Sequence, residues 1–264
     1  MPSSVHTIDI NCDLGESYGN VIIGNDAEIF PYITSCNIAC GFHGGDPVHV
    51  ERTIKAALQY GVQIGAHPSY PDRENFGRKK MHLPAEELRA VIRYQLAALI
   101  GVTRALGGRV SYVKPHGALY NVAAESAAEA LVVIESAQSM DENLAMMGLP
   151  GSAMEETAKI KGIQFIAEAF ADRRYQSNGR LVSRSIDGAV IEDPDDAAEQ
   201  VLSIILKQRV SSIEGTLVPV IAQSICVHGD HPNTLTILIK LDKIFKEQHI
   251  QKISFMAIRD QGRK

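Results

Sequence analysis

Short β-rich runs alternate with longer helical patterns along this whole chain, and that rhythm limits the fold more than any other feature. "VHTIDIN" (5–11) reads as a strand and "CNIAC" (36–40) as a second. "VHVERTIKAALQYG" (48–61) places Val50, Ile54, Ala57 and Leu58 on one helical stripe, and Gly61 suits the turn that ends it. "VQIGAH" (62–67) is a third strand. "LPAEELRAVIRYQLAALIGVTRALGG" (83–108) is a long helix, with Pro84 near its start and Gly107-Gly108 at its close. Further strands are expected at 109–115, 144–149, 163–170, within 217–227 and at 252–258. Helices are expected at 126–138, 152–162, 193–208 and 233–248.

Strand–helix alternation of this kind argues for parallel βαβ units. A doubly wound sheet has the same rhythm, but it would gather its polar motifs at one switch point. Here they are scattered along the chain, and the length of 264 residues suits an α/β barrel. The expectation is an α/β fold: an irregular (β/α) barrel, TIM-barrel-like, as one domain over 1–264.

Several function classes are disfavoured. The formal charge is −5 with no basic block, which argues against nucleic acid as a partner; the short run "GRKK" (77–80) reads as solvated. The N-terminus has neither the charged nor the apolar region of a signal peptide, and no apolar run approaches membrane-spanning length. A cytoplasmic protein with no membrane partner is expected, so Cys12, Cys36, Cys40 and Cys226 should be reduced. The Cys36–Cys40 spacing lacks a second close pair, which favours buried thiols over structural zinc.

Polar residues gather where a strand ends and the next helix has not begun: "NCDLGE" (11–16), "CGFHGGD" (40–46), "GAHPSYPDRENFGR" (65–78), "KPHGALYN" (114–121), "EAFADRRY" (168–175) and "HGDHPN" (228–233). The helix-to-strand turns are plain by comparison. In an α/β barrel the strand-to-helix turns share the C-terminal face, where active sites are built. His43, His67, His116 and His228 fall at four strand ends, whereas His6, His49, His82, His231 and His249 lie at the terminus, on helices or in outer loops. Taken singly, these residues have bland explanations: loop histidines form structural hydrogen bonds, Asp46 caps the helix after Pro47, and Asp230 could cap the helix after it. Six such turns on one face are not explained that way.

Carboxylates, imidazoles and a lysine in one pocket suit proton transfer at a carbonyl or amide centre. The catalytic candidates are Asp13, His43, His67, Lys114 and His116. Glu16, Asn37, Glu168, Asp172, Arg173, His228 and Asp230 are candidates for substrate binding, with Arg173 shaped to hold a carboxylate. If a metal is present, Asp13, His43 and His67 are the expected ligands, although lysine and arginine can replace its electrostatic role. Neither a nucleophile elbow nor a standard nucleotide-binding motif is present.

At these motifs the chain resembles the LamB/YcsF family, the A subunits of bacterial 5-oxoprolinase. "DINCDLGESYG" (9–19), "NIACGFHGGDP" (37–47), "IGAHPSYPD" (64–72), "FGRKKM" (76–81), "VKPHGALYN" (113–121), "EAFADRRY" (168–175), "GRLVSR" (179–184) and "CVHGD" (226–230) carry the resemblance, in order along the chain. It implies an irregular (β/α) barrel and a part in the ATP-dependent opening of 5-oxo-L-proline to L-glutamate. Partner subunits B and C would activate the lactam with ATP, and this chain would hydrolyse the phosphorylated intermediate, which accounts for the missing ATP motif. Cys36 and Gly44 stand where the family commonly has alanine, and Gln223 where it has an acid. Two other readings are a metal-dependent deacetylase-like hydrolase and a non-catalytic lactam- or sugar-binding protein. Oligomeric state, a homo-oligomer included, is not set by the sequence.

Overall fold

The computed structural model describes residues 6–256. Its plan is set by the first strand, β1 (Thr7–Leu14), whose sequence TIDINCDL alternates polar and apolar residues. A strand turns successive side chains to opposite faces. Ile8, Ile10, Cys12 and Leu14 therefore join the main apolar core, while Asp9, Asn11 and Asp13 are buried on the other face among polar partners. Residues Asn11 to Leu14, read from sequence largely as a turn, belong to this strand.

After a short helix, α1 (Asp26–Ile29), come strand β2 (Ser35–Ala39) and helix α2 (Pro47–Tyr60). The Asp46 side chain accepts from the backbone N–H groups of Val48 and His49, and Gly61 ends α2 at φ +66°, as the sequence predicts. Strand β3 (Gln63–His67), helix α3 (Ala85–Ala105) and strand β4 (Val110–Val113) follow. Next are helices α4 (Gly117–Glu125) and α5 (Ala127–Met140), strand β5 (Ala145–Gly148), helix α6 (Ala153–Ile160) and strand β6 (Phe165–Phe170). Helix α7 (Pro194–Lys207), capped by Asp193, leads into an antiparallel pair, β7 (Arg209–Ser211) and β8 (Leu217–Pro219). Strand β9 (Ser224–Val227), helix α8 (Thr234–Glu247) and the two-residue β10 (Gln251–Lys252) complete the described chain.

Strands β1 to β6 pair in parallel in sequence order, and β9 pairs with both β6 and β1. This closes a seven-stranded parallel barrel, the irregular TIM-barrel-like fold expected from sequence. The β10 segment adds to the start of β1 outside that ring. No single helix among the described residues is long and apolar enough to cross a membrane.

Some expectations need correction. The strand sought within 217–227 is two elements: β8 belongs to the hairpin and only β9 joins the barrel. The strand expected at 252–258 is reduced to Gln251–Lys252; Phe255 and Met256 are helical, and 257–258 lie outside the described residues. Helix α4 occupies a stretch read as a polar turn. Asp230 does not cap α8, which starts after Asn233 without a side-chain cap; it pairs with Arg78 instead.

Candidate active site

The barrel interior is polar through much of its depth. At its base Asp9 accepts hydrogen bonds from Thr34 Oγ1 (2.7 Å), Ser35 Oγ (2.6 Å) and Ser224 Oγ. Above it, Asn37 Nδ2 donates to Asn11 Oδ1 and Asp13 Oδ1, both at 2.7 Å, and the Tyr112 hydroxyl donates to Asn37 Oδ1. Gly65 gives Tyr112 its space: a Cβ there would lie 2.3 Å from the ring.

Lys114 is held at the barrel mouth. The residue is 2% exposed, and its ammonium lies 3.0 Å from Asp13 Oδ1, 2.7 Å from Glu168 Oε1 and 3.2 Å from Cys226 Sγ. Burial alone would disfavour the charge, but the two carboxylates outweigh it and hold Lys114 well above its ordinary pKa. Burial also pushes Asp13 upward, but the charges of His67 and Lys114 dominate and hold its carboxyl well below the usual range. Tyr120 fixes Glu168 from the other side by donating to Oε2 at 3.0 Å.

Beside this lysine nest stand three imidazoles and a carboxylate. His67 Nε2 lies 3.4 Å from Asp13 Oδ2 and 3.0 Å from His116 Nδ1. The His43 ring stacks on His116 with centroids 3.7 Å apart, and His43 Nε2 is 3.2 Å from Glu16 Oε1. Gly77, at φ +65°, lets the intervening loop close over them; a Cβ there would lie 2.8 Å from His116 and 2.9 Å from His43. Burial, reinforced by neighbouring imidazoles, pushes His43 and His116 well below the ordinary histidine pKa. Burial and Asp13 push Glu16 well above the carboxylate range.

A cavity of about 530 Å³ opens onto these groups. Asp13, His67, Lys114, His116, Arg173 and His228 line it, so four of the five catalytic candidates meet there. His43 does not line it: the ring is fully buried behind His116. Of the substrate-binding candidates, only Arg173 and His228 reach the cavity. The others brace it. Asp172 accepts from His228 Nδ1 at 2.9 Å, while Asn37 and Glu168 hold Asp13 and Lys114. Glu16 holds His43, and Asp230 holds Arg78. The proposed metal trio is also regrouped: His43 and His67 stand with Glu16 and His116, whereas Asp13 is engaged by Lys114 and Asn37.

Sequence reading missed Arg78 and Arg184, both on the cavity wall. Arg78 sits in the "GRKK" run read as solvated, and only its ion pair with Asp230 reveals its role. Arg173 is buried, donates to the Val182 carbonyl, and is pushed down to about 10 by burial and by the nearby charge of Arg184. His231, placed in an outer loop by the sequence reading, is also buried. All four cysteines are free and buried.

Comparison with known proteins agrees with this architecture. The chain matches the LamB/YcsF family over residues 8–260. It is 45% identical over 251 residues to the A subunit of 5-oxoprolinase from Acinetobacter baylyi, covering 95% of this chain and 99% of that one. The crystal structure of a lactam utilization protein from Thermus thermophilus superposes with a TM-score of 0.89 at 37% identity, covering 94% of this chain and all of that one. A family 4 carbohydrate esterase from Streptomyces lividans shares the fold more distantly, with a TM-score of 0.51 at 11% identity over 94% of this chain and 91% of that one.

Proposed function

The chain belongs to the LamB/YcsF family, and from that premise we propose that it is the A subunit of an ATP-dependent 5-oxoprolinase. It works in the cytoplasm beside partner subunits B and C and completes the hydrolysis of activated, phosphorylated 5-oxo-L-proline to L-glutamate. The observation that carries this reading is the end-to-end likeness to a chain named as the A subunit of 5-oxoprolinase. The cavity supports it by its chemistry.

In the final steps a first water attacks the activated carbon and the ring C–N bond breaks as the nitrogen gains a proton, leaving an acyl phosphate; a second water then displaces phosphate and leaves the carboxylate. The wall formed by His67 and His116 is where water is deprotonated. Lys114 steadies the oxyanion that develops on the attacked carbon, from a position that needs no rearrangement. His228, oriented through Nδ1 by Asp172, keeps Nε2 for protonating the departing nitrogen. Arg78, Arg173 and Arg184 give the cavity excess positive charge, suited to a substrate with a carboxylate and a phosphoryl group.

Reconstitution tests this. The chain alone should leave 5-oxoproline intact and hydrolyse ATP negligibly. With B and C partners it should release glutamate and ADP together. Glutamate production by the lone chain without ATP would overturn the reading.

A further inference from the structure

The cavity has a wall that the histidines and Lys114 do not supply, formed by the strap that follows β6. There the chain folds back on itself. The Gln176 N–H donates to the Arg180 carbonyl at 2.7 Å, the Val182 N–H donates to the Arg174 carbonyl at 2.9 Å, and Gly179 makes the turn at φ +79°. This turn delivers Arg173, Arg180 and Arg184 to the same cavity, together with Ser183 and Ser185. Arg173 is 7% exposed, yet no carboxylate pairs with it among the described residues: its chain neighbour Asp172 is taken by His228. Its Nη2 donates to the Val182 carbonyl, and its Nε is buried without a partner. A guanidinium carries a fixed charge and five N–H donors, so burying it without a counter-ion is costly. Arg180 and Arg184 have no carboxylate partner among the described ion pairs either, whereas Arg78 is paired with Asp230, and Lys114 with Asp13 and Glu168.

We propose that Arg173, Arg180 and Arg184, assisted by the Ser183 and Ser185 hydroxyls, form a phosphoryl-binding subsite that makes this chain selective for the phosphorylated lactam over the free one. Three guanidinium groups without counter-ions outmatch a single carboxylate. A phosphoryl group brings a charge of about −1.5 to −2 and three strong acceptor oxygens. Arginine suits such oxygens because its planar fork meets two of them at once. Burial and the nearby charge of Arg184 lower Arg173 to about 10, which leaves it charged at neutral pH and crowded by like charge until an anion enters. Ser183 Oγ and Ser185 Oγ, 2.9 Å apart, add neutral donors on the same wall. Arg173 therefore takes phosphoryl oxygens rather than the carboxylate expected from sequence.

Arg174, next along the chain, shows the contrast: it pairs with Asp196 of α7 and does not line the cavity. The phosphoryl group stays on the substrate until the second water displaces it, so a subsite for it retains the intermediate through ring opening. Free 5-oxo-L-proline lacks that group and makes no use of the strap. The identity of the phosphorylated ligand rests on the oxoprolinase reading; the existence of the subsite does not, because it is tested on this chain alone.

Inorganic phosphate is titrated calorimetrically into the full-length chain, with acetate as the carboxylate comparator. One phosphate should bind per chain, and acetate at equal concentration should not displace it. Arg184→Gln, at a half-buried position on the strap, should weaken binding by about 10-fold or more, the scale of one charge-assisted hydrogen bond. Arg173→Gln, its fold checked by circular dichroism, should weaken it further. Arg93→Gln, at an exposed position on α3, should bind as the parent does. With B and C partners, Arg184→Gln should release less glutamate per ADP, because the phosphorylated lactam escapes and water returns it to lactam and phosphate. Absence of phosphate binding to the folded chain overturns the proposal. So does parental affinity or an unchanged glutamate-to-ADP ratio in Arg184→Gln, or equal competition by acetate. Phosphate binding that weakens as expected, with no glutamate released by the reconstituted parent, supports the subsite and overturns only the oxoprolinase reading.

Discussion

Asp9 and Asp13 stand on the same face of the same strand, both buried inside the barrel, yet they are opposite kinds of carboxylate. Asp9, at the base, has only hydroxyl partners from Thr34, Ser35 and Ser224. Burial wins there, and its pKa rises from 3.8 to about 6 despite those hydrogen bonds. Asp13, at the mouth, is buried as well, but the charges of His67 and Lys114 reverse the outcome and keep it ionised. Neutral hydrogen bonds do not offset the desolvation of a buried carboxylate, whereas a cation within direct reach does. The carboxylate at the base of the barrel therefore gives up its charge on mild acidification, whereas the one at the mouth keeps its charge far into acid.

The most severe way to break this contrast is Lys114→Met, which removes one of the two cations beside Asp13, leaving it only His67, and strands Glu168 as well. Glutamate release with partners should fall by about 100- to 1,000-fold. Stability at pH 7 should drop by about 3–5 kcal/mol, the usual scale for a buried charge left unpaired. That deficit should shrink at pH 5, since protonating the stranded acids relieves it; urea melts at the two pH values check this. A deficit that grows on acidification would contradict the assigned role of Lys114.

Asp13→Asn comes next. Activity should fall by about 100-fold, with a smaller stability loss because Lys114 keeps Glu168. A carboxyl whose pKa is lowered by folding stabilises above its unfolded pKa, and that contribution fades as pH falls toward the folded value. Asp13→Asn should therefore lack part of the parent's loss of stability in strong acid, as urea melts between pH 4 and 2 would record.

Asp9→Asn should act with the opposite sign. Because folding raises the Asp9 pKa, its contribution is fully present below pH 3.8 and is lost as pH rises through about 6. The shift corresponds to about 3 kcal/mol at most. The variant should show a flatter stability profile across that window and be at least as stable as the parent at pH 7, with catalysis little changed. A smaller effect is expected of Ser35→Ala, which removes the 2.6 Å hydrogen bond to Asp9. It should cost about 1 kcal/mol at pH 7 and push the Asp9 transition to higher pH.

The parts read correctly from sequence were those whose signal is local. The β–α rhythm, the cap at Asp46 and the stop at Gly61 each depend on neighbours a few residues away. Helix α4 was missed because it is short and mostly buried: Ala118, Leu119, Tyr120, Val122, Ala123 and Ala124 are all covered, and only Asn121 and Glu125 mark a polar side, too little for an amphipathic stripe. Strands β7 and β8 were missed because three residues are too few to show an alternation. The extension of β1 was legible, since its alternation continues through Asp13 and Leu14, but functional-looking residues were assigned to a turn.

By itself the sequence determined the barrel class and which polar groups the strand ends would deliver, because side-chain periodicity and turn chemistry are short-range properties. Only the tertiary structure decided which of those groups touch. Lys114 meets Asp13 across 101 residues of chain, and His67 meets His116 across 49. Such pairings follow from the register of neighbouring strands and from closure of the ring by β9 onto β1, neither of which leaves a local trace. The same closure placed His43 and Glu16 behind the cavity wall and put Arg78 and Arg184 on it. Long-range geometry, acting through burial and the distance between charges, determined which carboxylate has its pKa raised and which lowered, and which imidazoles share one small space.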